Sequence, residues 1–298
     1  MKNQIEIKEK LDLIKAKEDF ISYLDVSSGT LQTYKEGLKN FFEYLNSNDI
    51  KYPTRNDLRG YREFLKESLS ICTINNYLSA IRRFFKYLEL NDIYENITKD
   101  IKSIKVSKIP KKQVLTIEQV QHIYNNLTDL REKCLVSLAF STGLRGIEMA
   151  NAMIEDIQTY NDQTILWVQV KGHNAKDEYV KLSQQVINDI NNYVGNRTSG
   201  YIFVSNSNHN KGGGITTKTL RLEIKNIFKR FGLDSDVFSL HTTRRTFATI
   251  GYLNGADIYE LQQVLHHKSS STTTRYINQS VRDNFKTELN VSNVVFGG

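Results

Sequence analysis

Leu265-His266-His267-Lys268-Ser269-Ser270-Ser271-Thr272-Thr273-Thr274-Arg275-Tyr276 is the stretch on which the reading of this chain turns. Two histidines precede a Ser/Thr run, and a tyrosine follows His267 by nine residues. Taken alone the pattern says little, since the chain has 16 tyrosines. It gains meaning from two upstream segments, His241-Thr242-Thr243-Arg244 and Thr142-Gly143-Leu144-Arg145-Gly146-Ile147-Glu148. Together they make Tyr276 a candidate nucleophile toward a DNA phosphate, with the other residues holding that phosphate.

The chemistry follows from the residue types. Arginine offers a planar fork of donors to phosphate and keeps its charge. Two of them oppose the charge that builds on a five-coordinate phosphorus. A tyrosine hydroxyl, with a pKa of about 10, needs a base or a cationic setting to attack, and histidine supplies either. The departing 5′-oxygen needs a proton, which a lysine on a hairpin bend can deliver. Lys171, in Lys171-Gly172-His173-Asn174-Ala175-Lys176-Asp177, stands at such a bend. The set has no carboxylate cluster of the kind that holds two Mg²⁺ ions, so no cofactor or metal is expected. Each part has a plain alternative. Arg145 with Glu148 is an ordinary helix ion pair, Lys171 a solvated turn residue, His241 and Arg244 a polar helix face, and His266-His267 a metal pair lacking a third ligand.

Around these motifs the periodicity is mostly helical. Residues 10–24 suggest a first helix with Leu11, Ile14, Phe20 and Leu24 toward the core, and Ser27-Ser28-Gly29 breaks it, with Thr30 capping a second. Thr54 with Asp57, and Thr116 with Gln119, have capping-box spacing. Residues 71–90 give the strongest amphipathic pattern, with Ile74, Tyr77, Leu78, Ile81, Phe84, Phe85 and Leu88 on one face. The opposite face carries Asn75, Asn76, Ser79, Arg82, Arg83 and Lys86, either a solvated surface or a set of donors for phosphates and base edges. Further helices are expected over 130–141, 144–152, 184–194, 216–231, 240–253, 257–265 and 272–276. Thr164 to Val170 and Glu178 to Leu182 form a β-hairpin.

The chain has 298 residues and a net charge of +7. The charge excess is densest at Lys102, Lys105, Lys108, Lys111 and Lys112, with no acid among them. That is a solvated linker, or a linker that also crosses a phosphate backbone. Pro110 disfavours helix at Ile109, which places a boundary there. The expected domains are a helical DNA-binding unit over 1–98, a basic linker over 99–113 and a catalytic unit over 114–298 with a C-terminal tail. No apolar run approaches the ~20 residues of a membrane span, and Met1 to Lys10 lacks the apolar core of a secretory signal. Cys72 and Cys134 read as buried free thiols, and the chain as cytoplasmic.

The combination Thr142-Gly143-Leu144-Arg145-x-x-Glu148, Lys171-Gly172, His241-x-x-Arg244, Leu265-x-His267 and Tyr276 resembles the tyrosine recombinase, or phage-integrase, family, including its Xer-like members. The resemblance spans about residues 114–285, and more weakly 10–95 through Ser27-x-x-Thr30-Leu31-x-x-Tyr34. It implies a mainly α fold with a small antiparallel sheet, in two domains: a helical SAM-like core-binding domain and an α+β catalytic domain. It implies a 3′-phosphotyrosyl intermediate on Tyr276, a phosphate held by Arg145 and Arg244, help from His241 and His267, and Lys171 as the acid, with Glu148 in support. It also implies a tetramer on two double-stranded DNA sites that exchanges strands through a Holliday junction, here integrating or excising a mobile element. The tail, with Val291, Val294, Val295 and Phe296, is expected to pack on a neighbouring protomer. The chain departs from the pattern where His266 replaces the usual glycine and in a hairpin one residue longer than the common one, which leaves Lys176 as a second candidate acid. No arm-site domain is expected. Three rivals stand beside this reading: a type IB topoisomerase-like enzyme that relaxes DNA, a DNA-binding regulator with a silent active site, and a soluble helical scaffold whose polar motifs are coincidence.

Overall fold

The helix over Ile71–Leu90 is the spine of the N-terminal half because the apolar residues of one face recur at helical spacing and find cover. Ile74, Tyr77, Leu78, Ile81, Phe84, Phe85 and Leu88 are buried. The computed structural model describes residues 13–105, 113–170, 172–208, 210–233, 237–267, 269 and 273–274. These fall into two units, one within Met1–Lys108 and one within Ile109–Gly298. Among the described residues no helix is long and apolar enough to cross a membrane.

The first unit holds α1 (Leu13–Tyr23), α2 (Ser28–Ser47), α3 (Arg55–Lys66) and α4 (Ile71–Leu90). α2 lies directly on α4. A Cβ at Gly37 would sit 3.1 Å from the Tyr77 Cα, so glycine permits this close approach. Phe41 is ringed by Tyr61 and Phe85 at centroid distances of 5.0 and 6.1 Å, in the edge-on geometry aromatic quadrupoles favour. The capping box of Thr54 and Asp57 is present, with each backbone N–H bound by the other residue's side chain.

Three details differ from expectation. Ser27 caps α2, its Oγ accepting the Thr30 N–H at 3.4 Å, so Gly29 lies inside the first turn and does not break the chain. Ile14 is 58% exposed, because the buried stripe of α1 is Leu13, Ala16 and Phe20, and Ile14 sits a further 100° round the helix. Cys72 is exposed, while Cys134 is buried as expected. Leu11 lies outside the described residues.

The second unit holds α5 (Ile117–Asn125), α6 (Leu130–Thr142), α7 (Gly146–Ala150), α8 (Gln184–Val194), α9 (Thr217–Arg230), α10 (Leu240–Leu253) and α11 (Ile258–Val264). Thr116 and Gln119 close the expected capping box on α5. α6 is covered nearly all round, with Cys134, Leu135, Val136, Leu138 and Ala139 buried. Arg131 at its start ties three elements together: it donates to Glu223 of α9 at 3.1 and 3.2 Å, to the Tyr193 hydroxyl at 2.5 Å and to the Val204 carbonyl at 2.8 Å. Such a half-buried cation is tolerable only because it is fully engaged.

The sheet has three antiparallel strands in the order β1 (Ile157–Tyr160), β2 (Gln163–Val168), β3 (Glu178–Lys181). Leu166 faces Ile157 on one side and Val180 on the other. The hairpin of β2 and β3 is the expected one. β1 is not marked in the sequence, since Ile157-Gln158-Thr159-Tyr160 carries no alternation of apolar and polar side chains, and none of the four is fully buried.

Candidate active site

The turn between α6 and α7 builds the floor of the site. Gly143 ends α6 in the left-handed region, with φ +62°. A Cβ there would come within 2.6 Å of Phe247 and 2.9 Å of Leu265, so glycine is required both by its torsion and by its neighbours. The next residues lead into the short α7, with Arg145 at its N-cap and Glu148 at the third helical position. Glu148 is buried, and both of its oxygens are used. Oε2 accepts the Arg145 backbone N–H at 2.7 Å, and Oε1 accepts Arg145 Nη1 at 2.7 Å.

α10 brings the second arginine to the same place. Arg244 is 1% exposed. Its Nη1 donates to the Gly143 carbonyl at 2.7 Å, and its Nη2 donates to the Leu265 carbonyl. Glu148 Oε2 is 3.8 Å from Arg244 Nη1, so one buried carboxylate faces both guanidinium groups. Arg145 Nη2 donates to the His266 carbonyl at 3.1 Å. The two arginines, 99 positions apart in sequence, thus hold successive carbonyls of one turn, the one that follows α11. That turn presents His267, which is buried with Nδ1 2.9 Å from the Thr273 hydroxyl.

Arg145, Arg244 and His241 open into a pocket of about 320 Å³, lined also by Leu144, Gly146, Arg221, Ser239 and Leu240. The cationic walls act on both histidines. Burial first, then Arg244, Arg245, Arg145 and Arg221, push His241 down to about 4 from its ordinary 6.5. His241 keeps solvent access at the rim, which tempers the first of these causes and leaves the cationic neighbours as the firmer one. Burial, then Arg244, Arg145, His241 and His266, push His267 to about 3. Both imidazoles are therefore neutral near pH 7, able to accept one proton each. A phosphodiester entering the pocket brings the negative charge that its walls lack.

These shifts carry a stability consequence. In the unfolded chain both histidines protonate near pH 6.5, while in the folded chain they do so only near 4 and 3. Their neutral forms are favoured by folding, so their contribution is fully present above about pH 6.5 and is lost as pH falls toward the folded values. The melting temperature is expected to fall between pH 7 and pH 4.5, and to fall less steeply in His267→Gln. Equal slopes in the two proteins would contradict the burial of a neutral His267.

The other sequence candidates divide. Lys171, Tyr276, Lys108, Lys111 and Lys112 lie outside the described residues, as do the helix expected over 272–276, apart from Thr273 and Thr274, and the tail. Lys176 is engaged by Asp156, which draws it away from the role of mobile acid. Arg245 is buried beside Arg244 on α10, but the pocket is lined by Arg244. In the first unit, Asn75 and Arg82 grip the segment that follows α4. Asn75 donates to the Ile104 carbonyl and accepts the Ile104 N–H, both at 2.9 Å. Arg82 donates twice to the Ile101 carbonyl, at 2.8 and 3.1 Å, and once to the Ser103 hydroxyl at 3.2 Å. Ile101 is buried, so the linker is docked onto α4 as far as Ile104. Asn76, Ser79, Arg83, Lys102 and Lys105 are exposed.

Sequence reasoning missed Arg221, which reaches the pocket only because α9 lies against α7, and Thr273, the partner of His267. Arg221 has no local signal, and Thr273 stands in the Ser/Thr run before Tyr276 with nothing in the sequence to mark it as that partner. Among the described residues no three His, Cys, Asp or Glu side chains are grouped to hold a metal ion.

Residues 113–282 match the model of the phage integrase family, and residues 18–91 match the phage integrase, N-terminal SAM-like domain. The chain is similar to the tyrosine recombinase XerA of Pyrococcus horikoshii, 29% identical over 280 residues that cover 91% of this chain and 92% of that one. It is 30% identical to the tyrosine recombinase XerA of Pyrococcus furiosus, over 87% of each chain. In fold it resembles the XerH site-specific recombinase bound to a palindromic difH substrate in a post-cleavage complex, with a TM-score of 0.71 and 20% identity over 88% of this chain and 79% of that one.

Proposed function

The chain belongs to the phage integrase family of tyrosine recombinases, which cut and rejoin DNA, and on that premise we propose how its own residues carry out the reaction. Tyr276 is the nucleophile. Its Oη bonds to phosphorus as the P–O5′ bond breaks, which leaves a 3′-phosphotyrosyl link. The phenol proton passes to a neutral histidine of the pair His241 and His267, and a proton from Lys171 passes to the 5′-oxygen, so the step is redox-neutral and needs no cofactor. Arg145 and Arg244 hold the non-bridging oxygens, where donors act more strongly as charge builds in the transition state. Glu148 keeps both guanidinium groups in register. The reverse attack by a 5′-hydroxyl of a second strand releases the tyrosine and exchanges partners through a Holliday junction.

One observation supports this most: two arginines distant in sequence share one buried carboxylate and one turn beside a pocket rimmed by His241. Double-stranded DNA is the partner this reading requires, with Asn76, Ser79, Arg83, Lys102, Lys105, Lys108, Lys111 and Lys112 contributing donors to its backbone and bases. Asn75 and Arg82 serve instead to set the path of the linker. Four protomers on two sites, joined through the C-terminal tail, complete the assembly, and integration or excision of a mobile element in the cytoplasm is its setting.

The assignment of Lys171 has a direct chemical test. A 5′-bridging phosphorothiolate leaves as a thiolate, whose conjugate acid has a pKa near 8.5, and needs no proton from the enzyme. Lys171→Ala is expected to cut an ordinary phosphodiester on the order of 10²–10⁴ times more slowly, and to cut the phosphorothiolate at close to the wild-type rate. Equal loss on both substrates would remove Lys171 from the role of acid.

A further inference from the structure

His266 carries two costs that ordinary packing would have removed. Its backbone is left-handed, with φ +48°, a conformation disfavoured for a residue with a Cβ. Its side chain is only 5% exposed, yet Nδ1 is buried with no hydrogen-bond partner among the described residues. A glycine would relieve both. Strain and an orphaned polar atom kept beside an active site are the mark of a functional constraint.

The position of the ring suggests what that constraint is. The His266 carbonyl is held by Arg145, so the peptide is fixed to the arginine pair. The imidazole reaches toward the sheet, with Nε2 3.8 Å from Glu178 Oε2 at the start of β3. Glu148 of α7, Arg244 of α10 and the Tyr179 backbone act on the same ring, and Asp177 feels it in turn. The ring therefore occupies the junction of the arginine-bearing elements and the return strand of the hairpin. Lys176 and Asp156 fasten that hairpin at another point. In sequence, Lys171 is seven residues before Glu178, between β2 and β3.

We propose that His266 is a positioning residue that seats the β2–β3 hairpin against the turn held by Arg145 and Arg244, and so aligns the leaving-group acid with the phosphate those arginines bind. The inference rests on the recombinase reading above. It explains why a strained, enclosed histidine stands where the recombinase pattern has glycine: the ring supplies a contact to β3 that glycine cannot make. Misplacement of a catalytic group by about 1 Å costs up to about 10²-fold, so a loosened hairpin is a kinetic defect in the acid step alone.

The test measures single-turnover cleavage by His266→Gly on an ordinary phosphodiester and on its 5′-bridging phosphorothiolate counterpart, with thermal melting as the control for folding. His266→Gly is expected to be roughly tenfold slower on the ordinary ester and restored to the wild-type rate on the phosphorothiolate. His266→Asn, which tolerates the left-handed backbone and keeps a polar side chain, is expected to fall between, and it serves as the reading variant if the glycine protein melts early. Glu178→Gln is expected to show a smaller defect of the same kind. A wild-type rate for His266→Gly and His266→Asn on the ordinary ester, or an equal loss on both substrates, would overturn the proposal. Lys171→Ala in the same series separates the two levels. If it is rescued and His266→Gly is not, the positioning role alone fails. If Lys171→Ala is not rescued, the acid assignment fails and takes the positioning role with it.

Discussion

Tyr276→Phe is expected to yield no covalent protein–DNA adduct on a nicked recombination site, while still binding the duplex. The change removes one oxygen, and with it the only atom that bonds to phosphorus in the proposed step. Loss of a covalent nucleophile costs on the order of 10⁶-fold in turnover where it has been measured, which here puts cleavage below detection. Binding depends instead on the many backbone contacts that lysine and arginine make with phosphates, and Tyr276 is one residue among these. Gel-shift and denaturing-gel assays on the same samples check both halves. An adduct undiminished in Tyr276→Phe would assign the nucleophile elsewhere, and a parallel loss of binding would give Tyr276 a docking role.

The second large effect is expected at the arginine pair. Arg145→Ala should slow cleavage by about 10²–10³-fold, the roughly 2.7–4 kcal/mol that one transition-state donor contributes, with duplex affinity changed far less. Arg244 needs a gentler substitution. It is 1% exposed and faces Glu148, so alanine would leave a buried carboxylate short of a partner, at a cost of about 3–5 kcal/mol of stability. Arg244→Lys keeps the charge but loses the fork that spans the Gly143 and Leu265 carbonyls. It is expected to fold and to cleave about 10²-fold more slowly. Cleavage and binding falling together in Arg145→Ala would mean that the arginine docks DNA and does not stabilise the transition state.

Much of this site was legible in the sequence because its groups sit at fixed helical offsets. Arg145 and Glu148 are three apart at a helix start, and His241 and Arg244 are three apart on α10. Such pairs share a face whatever the rest of the fold does. The fold class was legible for the same reason, since α4 and α8 repeat their apolar residues with a clear period. What the sequence hid depends on backbone and distance. The acceptors that lock the arginines are the carbonyls of Gly143, Leu265 and His266, and a carbonyl has no residue identity to read. Asn75 and Arg82 have the residue types of DNA-facing donors, yet they spend them on the backbone of Ile101 and Ile104, a pairing made across 19 and 29 positions. The oddity of His266 was visible as a histidine in a glycine's place, but only its φ of +48° explains what the glycine would have been for.

In the proposed reaction a DNA phosphate becomes bonded to Tyr276 without help from a metal ion. The most direct measurement incubates the wild-type protein with a nicked suicide version of its cognate site in the presence of EDTA, digests the complex, and maps the nucleotide-bearing peptide by mass spectrometry. The expected result is a 3′-phosphonucleotide on Tyr276. Absence of any adduct on a site the protein demonstrably binds, or an adduct carried by another residue, would contradict it.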